Sequence, residues 1–280
     1  MASTIQPGLP LCGKRILICG KGGSGKSTAV ALMSLALLRK EYRVVVLDGD
    51  ASNPEGLVRL LFGTGVESEP RPLIEFFGGV DVVTCPVDDP SPLTRLNDTD
   101  PIPERRIDLF KEISPDYYLE KQGMTFLQAG KIETYGQGCD GPLEKVVRDF
   151  VITGDAVNLI DMKAGLEHFG RKIPDHMDVI LGVLDYTLES VSIAKRMAEF
   201  CEAAHIPAYW LILNKVGSAD VQAMLMEKLG GLQNRMLGSI SYDQELITMG
   251  LSGVAVTDCQ ALNEMVEIVN RLEQRISLAE

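Results

Sequence analysis

The sequence predicts an α/β fold: a doubly wound, mainly parallel β-sheet flanked by helices. Three observations carry that expectation. Short apolar runs alternate with stretches of helical periodicity along almost the whole chain, the signature of strands joined by crossover helices. The runs are apolar at nearly every position, as in strands covered on both faces. With 280 residues, 45% apolar and 24% charged, the chain has enough material for a large core and no compositional bias toward disorder.

Taken in order, strands are expected at residues 15–19, 43–48, 80–84, 125–129, 157–161, 179–184, 208–214 and 236–240. Each is a run of four to seven residues dominated by Ile, Leu, Val or aromatic side chains. Helices are expected at residues 27–40, 143–151, 188–205 and 218–229. The first helix is apolar almost all round from Ala29 to Leu38, which predicts burial deep in the fold. In the last helix Leu262, Met265, Val266, Val269, Leu272 and Ile276 recur at helical spacing, with Glu264, Glu267 and Glu273 on other faces. Helices that lie on membranes carry Lys and Arg on the polar face, so this acidic one is read as core packing. Residues 63–123 break the rhythm: they hold eight of the 14 prolines and an acidic cluster, Asp88, Asp89, Asp98 and Asp100. They read as a partly irregular excursion within one domain spanning 1–280, a long loop of functional use or an ordinary solvated insertion.

Charge and cysteine usage narrow the function classes. Lys and Arg number 27 against 39 Asp and Glu, a net charge of −12, which argues against a surface built for nucleic-acid phosphates or anionic lipid. No run approaches the ~20 apolar residues of a membrane span, and the first 12 residues lack the basic and apolar regions of a secretory signal. Cys12, Cys19, Cys85, Cys139, Cys201 and Cys259 form no Cys-x-x-Cys pair and read as reduced thiols of a cytoplasmic protein.

The strongest motif is Gly20-Lys21-Gly22-Gly23-Ser24-Gly25-Lys26-Ser27-Thr28. It follows an apolar strand and opens a helix, the context in which such a loop binds nucleoside triphosphate. Backbone N–H groups of Gly22, Gly23, Ser24, Gly25, Lys26, Ser27 and Thr28 would curl around phosphate oxygens, helped by the dipole of the helix. Lys26 would reach the β- and γ-phosphates, and the Ser27 hydroxyl would bind Mg²⁺. Two further apolar strands end in carboxylates, at Asp48-Gly49-Asp50 and at Asp161, where the carboxyl edge of a parallel sheet presents ligands. A third ends in Asn214-Lys215, and the Val216-Gly217 that follows lacks the aspartate that selects guanine, so ATP is expected rather than GTP.

Lys21, directly after the first glycine, resembles the signature lysine of the deviant phosphate loop in the MinD, ParA and nitrogenase-iron-protein group. The resemblance implies that Lys21 contacts the nucleotide of the opposite subunit, acting as an arginine finger does and coupling dimerisation to nucleotide state. It further implies that Asp50 orients the attacking water, with Asp48 in support, that Asp161 holds Mg²⁺ through water, that residues 162–165 read the γ-phosphate, and that Asn214 bonds the adenine.

Within that group the chain is similar to the CooC-type ATPases, which help insert nickel into carbon monoxide dehydrogenase. The strings that carry this are Gly130-Lys131-Ile132-Glu133, Gly138-Cys139-Asp140-Gly141-Pro142-Leu143, and Asp161-Met162-Lys163-Ala164-Gly165-Leu166-Glu167-His168-Phe169-Gly170-Arg171. The resemblance implies a nucleotide-dependent homodimer serving a client metalloenzyme. It also implies Ni²⁺ or Zn²⁺ at the interface, held by a Cys-x-Cys pair from each subunit. Here the second cysteine is replaced by Gly141, and Ser241 stands where that family has proline. Cys139 is therefore either a transition-metal ligand completed by Asp140, water or a partner, or a residual cysteine. His168 is read as structural. Alternative readings are an iron–sulfur electron donor like the nitrogenase iron protein and a positioning ATPase of the MinD/ParA kind.

Overall fold

A computed structural model describes residues 8–53, 56–63, 69–136, 138–206 and 208–278. In chain order they form β1 (Arg15–Gly20), α1 (Lys26–Arg39), β2 (Val44–Gly49), α2 (Gly56–Phe62), α3 (Leu73–Phe76), α4 (Leu109–Glu112), β3 (Leu119–Lys121), β4 (Met124–Gln128) and α5 (Gly141–Asp149). The second half adds β5 (Val157–Met162), α6 (Glu167–Gly170), β6 (Val179–Leu184), α7 (Leu188–Ala203), β7 (Tyr209–Val216), α8 (Ala219–Leu229), β8 (Met236–Ser241), α9 (Gln244–Ser252) and α10 (Gln260–Ser277). The strands make one sheet in the order β3-β4-β2-β5-β1-β6-β7-β8. Every pairing is parallel except β3 with β4, as the α/β expectation requires.

Strand periodicity divides the core between the two faces. Ile16, Ile18, Val44, Val46, Leu159, Val179 and Leu181 pack with α1, α2 and α10. Leu17, Cys19, Val45, Leu47, Ile160 and Ile180 point the other way, onto α5, α7 and α8. Because both faces are covered, β1, β2 and β6 are buried at every residue, which is why their sequences show no alternation. The first helix is as buried as its composition predicts, and the polar Ser34 within its core face donates back to the Val30 carbonyl at 2.8 Å. The stripe of α10 lies in the core too, with Leu262, Met265, Val269, Leu272 and Ile276 buried and only Val266 half-buried. Among the described residues no helix is long and apolar enough to cross a membrane.

Two expectations need correction. Residues 80–84 are not a strand but a turn: Gly78 and Gly79 have φ of 99° and 86°, and the Val82 and Val83 amides both donate to the Gly79 carbonyl. Val80 and Val82 are exposed and only Val83 enters the core. Conversely, the short edge strand β3 lies where no strand was expected. It pairs with β4 through a two-residue turn, Gln122-Gly123, in which both residues have positive φ, the backbone that a tight hairpin demands.

The excursion is laced to α5. The buried Asp149 carboxylate accepts from the Leu93 amide at 2.7 Å and from the Arg148 guanidinium, which also donates to the Ser91 carbonyl. Lys145 donates to the Thr84 hydroxyl and to Asp89. Arg15 closes the C-terminal end of α5, its guanidinium donating to the carbonyls of Val147, Arg148 and Phe150, where helix carbonyls lack intrahelical partners.

Candidate functional site

The sheet order reverses at β1: the chain passes from β1 to β2, returns through β5, then crosses to β6 on the far side of β1. Such a reversal opens a crevice at the carboxyl ends of the strands, and the glycine-rich turn between β1 and α1 lines it. Gly20 has φ of 149°, and a Cβ there would sit 2.3 Å from the Val183 carbonyl oxygen on β6. Gly25, the N-cap of α1 with φ of 94°, is packed so tightly that a Cβ would lie 2.1 Å from Asn214 Nδ2. Gly25→Ala is therefore expected to cost about 2 kcal/mol, from the left-handed backbone and the clash together. Urea denaturation of the nucleotide-free protein would measure it.

The loop's other groups converge. Ser24 is fully buried with an unpartnered hydroxyl, and Lys26, itself buried, folds back to the Lys21 carbonyl at 3.3 Å. The Asn214 side chain donates from Nδ2 to the Ser24 carbonyl at 2.8 Å, and Lys215 donates from Nζ to the Gly23 carbonyl at 2.7 Å. The end of β7 thus braces the loop directly.

Asp48 and Asp161 are in-register neighbours at the ends of β2 and β5. Asp48 is satisfied: Lys131 Nζ sits 2.7 Å from Oδ2 and also reaches the Asp50 carbonyl, and the Asp50 amide donates to Oδ1 at 3.0 Å. Burial pushes the Asp48 carboxyl up and Lys131 pulls it back only in part. The Asp50 carboxylate accepts from the Ser52 amide and hydroxyl. Asp161 differs, because it is 1% exposed and neither carboxylate oxygen has a hydrogen-bond partner of good geometry. Burial pushes its pKa up to about 7, with the Asp48 charge adding to it, while the Ser27 hydroxyl and the Lys26 ammonium pull the other way. An unpartnered buried carboxylate beside a hydroxyl is a donor set that suits a hard divalent cation keeping most of its water. Among the described residues no three His, Cys, Asp or Glu side chains are grouped so as to hold a metal by themselves.

Lys21 does not reach outward. Its Nζ lies 3.0 Å from Asp185 Oδ2 at the end of β6 and 3.8 Å from Glu189. Burial pushes the Asp185 carboxyl up, but hydrogen bonds from Ser190, Thr187 and Lys21 outweigh it and hold the group at about 2. Sequence reading passed over Asp185, although it closes an apolar strand just as Asp48 and Asp161 do.

The loop after β5 is stitched to the phosphate loop, the Gly165 amide donating to the Gly20 carbonyl. Its Lys163 pairs with Asp140 at 2.6 Å and Glu144 at 3.1 Å, and Arg171 pairs with the same two carboxylates at 2.9 and 2.7 Å. This four-charge cluster joins residues 161–171 to the exposed Cys139. His168 is fully buried, and burial with Lys163 and Lys26 nearby pushes it down to about 3, so its imidazole is neutral.

A glycine-rich loop between the first strand and a buried helix, at the switch point of a parallel sheet, with strand-end carboxylates around it, defines the class: a phosphate-loop nucleotide-binding protein. The chain belongs to the CbiA group, the CobQ/CobB/MinD/ParA nucleotide-binding domain family, which it matches over residues 16–256. It is similar to two uncharacterized ATP-binding proteins of Methanocaldococcus jannaschii. One is 29% identical over 268 residues, covering 92% of this chain and 100% of the relative. The other is 31% identical over 271 residues, with 91% and 96% covered. It is also similar to the carbon monoxide dehydrogenase accessory protein CooC of Rhodospirillum rubrum, 25% identical over 248 residues, covering 87% of this chain and 89% of that one. Among solved structures, the fold matches MinD of Pyrococcus horikoshii in complex with Mg-ADP, with a TM-score of 0.65 at 17% identity and 95% and 98% of the two chains covered. The plasmid partition protein of Borrelia burgdorferi gives 0.62 at 15% identity, with 94% and 99% covered.

Proposed function

We infer that the protein is an ATP-driven dimerisation switch. It hydrolyses ATP to ADP and phosphate and acts as a maturation or metal-insertion accessory factor for a metalloenzyme, of the nickel carbon monoxide dehydrogenase kind. The observation that carries this reading is the charge cluster in which Lys163, two residues beyond Asp161, grips Asp140 and Glu144. It gives a change at the phosphates a direct route to the Cys139 surface. The similarity to CooC supports a metalloenzyme client.

In this reading the amides of Gly22 to Lys26 and the Lys26 ammonium bind the triphosphate, and Asn214 holds the loop while meeting the adenine. Ser27 and Asp161 would hold Mg²⁺, which when bound neutralises charge on the β- and γ-phosphate oxygens. Asp50 orients the attacking water, and its own orientation is set by Ser52 and, through the backbone, by Asp48 and Lys131. Lys21 leaves Asp185 when a second subunit brings its nucleotide within reach, exchanging an ion pair within one chain for one between chains. A cytoplasmic location and a homodimer follow from the same reading. Ni²⁺ or Zn²⁺ at Cys139 would need ligands from a second subunit or the client.

The discriminating test is Lys21→Ala. Nucleotide affinity should stay within about threefold of wild type while the dimer seen by light scattering with a non-hydrolysable ATP analogue disappears, because the lysine serves the opposite site. A variant that still dimerises on the analogue would refute the switch. A positioning ATPase remains the second reading, favoured by the overall likeness to MinD and to the partition protein. Against it, the apolar stripe of α10 is buried on α1 and β8 rather than offered to a membrane.

A further inference from the structure

The loop that carries Cys139 lacks a second cysteine in its own sequence, yet a second thiol stands beside it. Gly141 opens α5, and a Cβ built on it would fall 2.5 Å from Cys85 Sγ, 2.9 Å from Cys85 Cβ and 3.4 Å from Cys139 Sγ. The Cys85 thiol therefore occupies the space a side chain at 141 would need, and the two sulfurs lie within about 6 Å of each other, inside the range that a side-chain rotation can close.

Both segments are anchored. The Cys85 carbonyl accepts from the Asp88 and Asp89 amides, and the turn this makes is clamped to α5 by Lys145, which donates to Thr84 and Asp89. Residue 140, next to Cys139, is held by Lys163 and Arg171. Cys139 is exposed, Cys85 half-buried behind it, while Cys19, Cys201 and Cys259 are buried. An accessible thiol with a sheltered neighbour is the arrangement of a thiol that reacts and one that resolves. Gly138, with φ of 103°, gives the exposed residue a hinge on its N-terminal side.

We propose that Cys85 and Cys139 form a reversible dithiol–disulfide pair, oxidised by a low-molecular-weight disulfide. The Cys139 thiolate attacks one sulfur of the oxidant, forming a mixed disulfide and releasing one thiolate. The Cys85 thiolate then attacks Cys139 Sγ, breaking the mixed disulfide and releasing the second. Two protein thiols lose two electrons and two protons in total, and one small disulfide becomes two thiols. The new bond ties the turn at residues 85–89 to the loop whose Asp140 pairs with Lys163, so oxidation stiffens the link between the nucleotide crevice and that surface. This chemistry is independent of the metal reading of Cys139 and holds whether or not the switch serves a metalloenzyme.

The test is intact-mass and peptide-mapping spectrometry on the full chain in oxidised glutathione with a chelator present, for wild type, Cys85→Ser and Cys139→Ser. Wild type should lose two hydrogens, keep no glutathione on residue 139, yield a cross-linked 85–139 peptide pair, and revert in dithiothreitol. Cys85→Ser should instead accumulate glutathione on Cys139 at least tenfold more than wild type, and circular dichroism matching wild type would show that the variant is folded. A wild-type protein that accumulates the adduct on Cys139 to the same extent as Cys85→Ser, or that carries separate adducts on both cysteines, would overturn the pair. The switch reading has its own test in Lys21→Ala, which this outcome does not touch.

Discussion

Lys26→Ala is expected to lower ATP hydrolysis by at least about 100-fold, the usual cost of removing a group that neutralises transition-state charge in a site shielded from water. Nucleotide affinity should fall with it, because in the proposed site the ammonium would face the same phosphates in the ground state. Lys26 is buried, and its side chain donates to the Lys21 carbonyl at 3.3 Å. Removing it takes out a buried charge together with this long hydrogen bond and the attraction to Asp161, so thermal stability without nucleotide should change far less than activity. The measurement is phosphate release under saturating ATP, with the melting temperature as the control for folding. Wild-type turnover in the variant would place the chemistry elsewhere.

Asp161→Asn should give effects of opposite sign on stability and on activity. In the nucleotide-free protein the Asp161 carboxyl is buried without a good partner and its pKa is raised to about 7. From about 4, the ordinary carboxyl value, up to that point, the folded protein holds a proton that the unfolded chain releases. Stability therefore declines as pH rises through this window, and the full penalty is present above it. The amide carries no such penalty, so Asp161→Asn should melt at nearly the wild-type temperature near pH 4 and clearly above it near pH 8. Its hydrolysis should meanwhile fall by roughly 100-fold or more, because an amide has no charge with which to hold a divalent cation. For wild type near pH 8, adding nucleotide with Mg²⁺ should raise the melting temperature more than it does for the variant, since binding to the folded state alone stabilises it. Equal pH dependence of melting in the two proteins would mean that Asp161 finds a partner in solution.

These effects share one cause. The carboxyl ends of β1, β2, β5 and β6 place Asp48, Asp161 and Asp185 around one crevice, and the chain neutralises two of the three with its own lysines, Lys131 and Lys21. The third, Asp161, has no such lysine paired to it among the described residues. Stability given up at Asp161 is recovered from the surrounding strands, which are buried on both faces.

Where sequence reading succeeded, the signal was local. The phosphate loop is nine consecutive residues in which the glycines set the backbone and the lysine and hydroxyl side chains follow at fixed offsets, so their spacing alone predicts the turn. The buried strands and α1 announce themselves because both faces are covered and every position turns apolar. Asp161 and Asn214 were legible as polar residues closing such strands. Residues 80–84 misled because two adjacent valines outweighed the Gly78-Gly79 turn before them, and β3 was missed because three residues carry no periodicity.

What only the tertiary structure decided are meetings between residues far apart in the chain. Lys21 finds Asp185, Lys131 finds Asp48, and Lys163 with Arg171 finds Asp140 and Glu144, because β6 and β2 end, and α5 begins, where these side chains can meet. Cys85 stands beside Cys139 because Lys145 clamps the excursion against α5 and Gly141 leaves room for its sulfur. Spacing along a chain says nothing about such pairs. The sheet order that brings them together is set by packing two apolar faces, an energy that no single segment of the sequence contains.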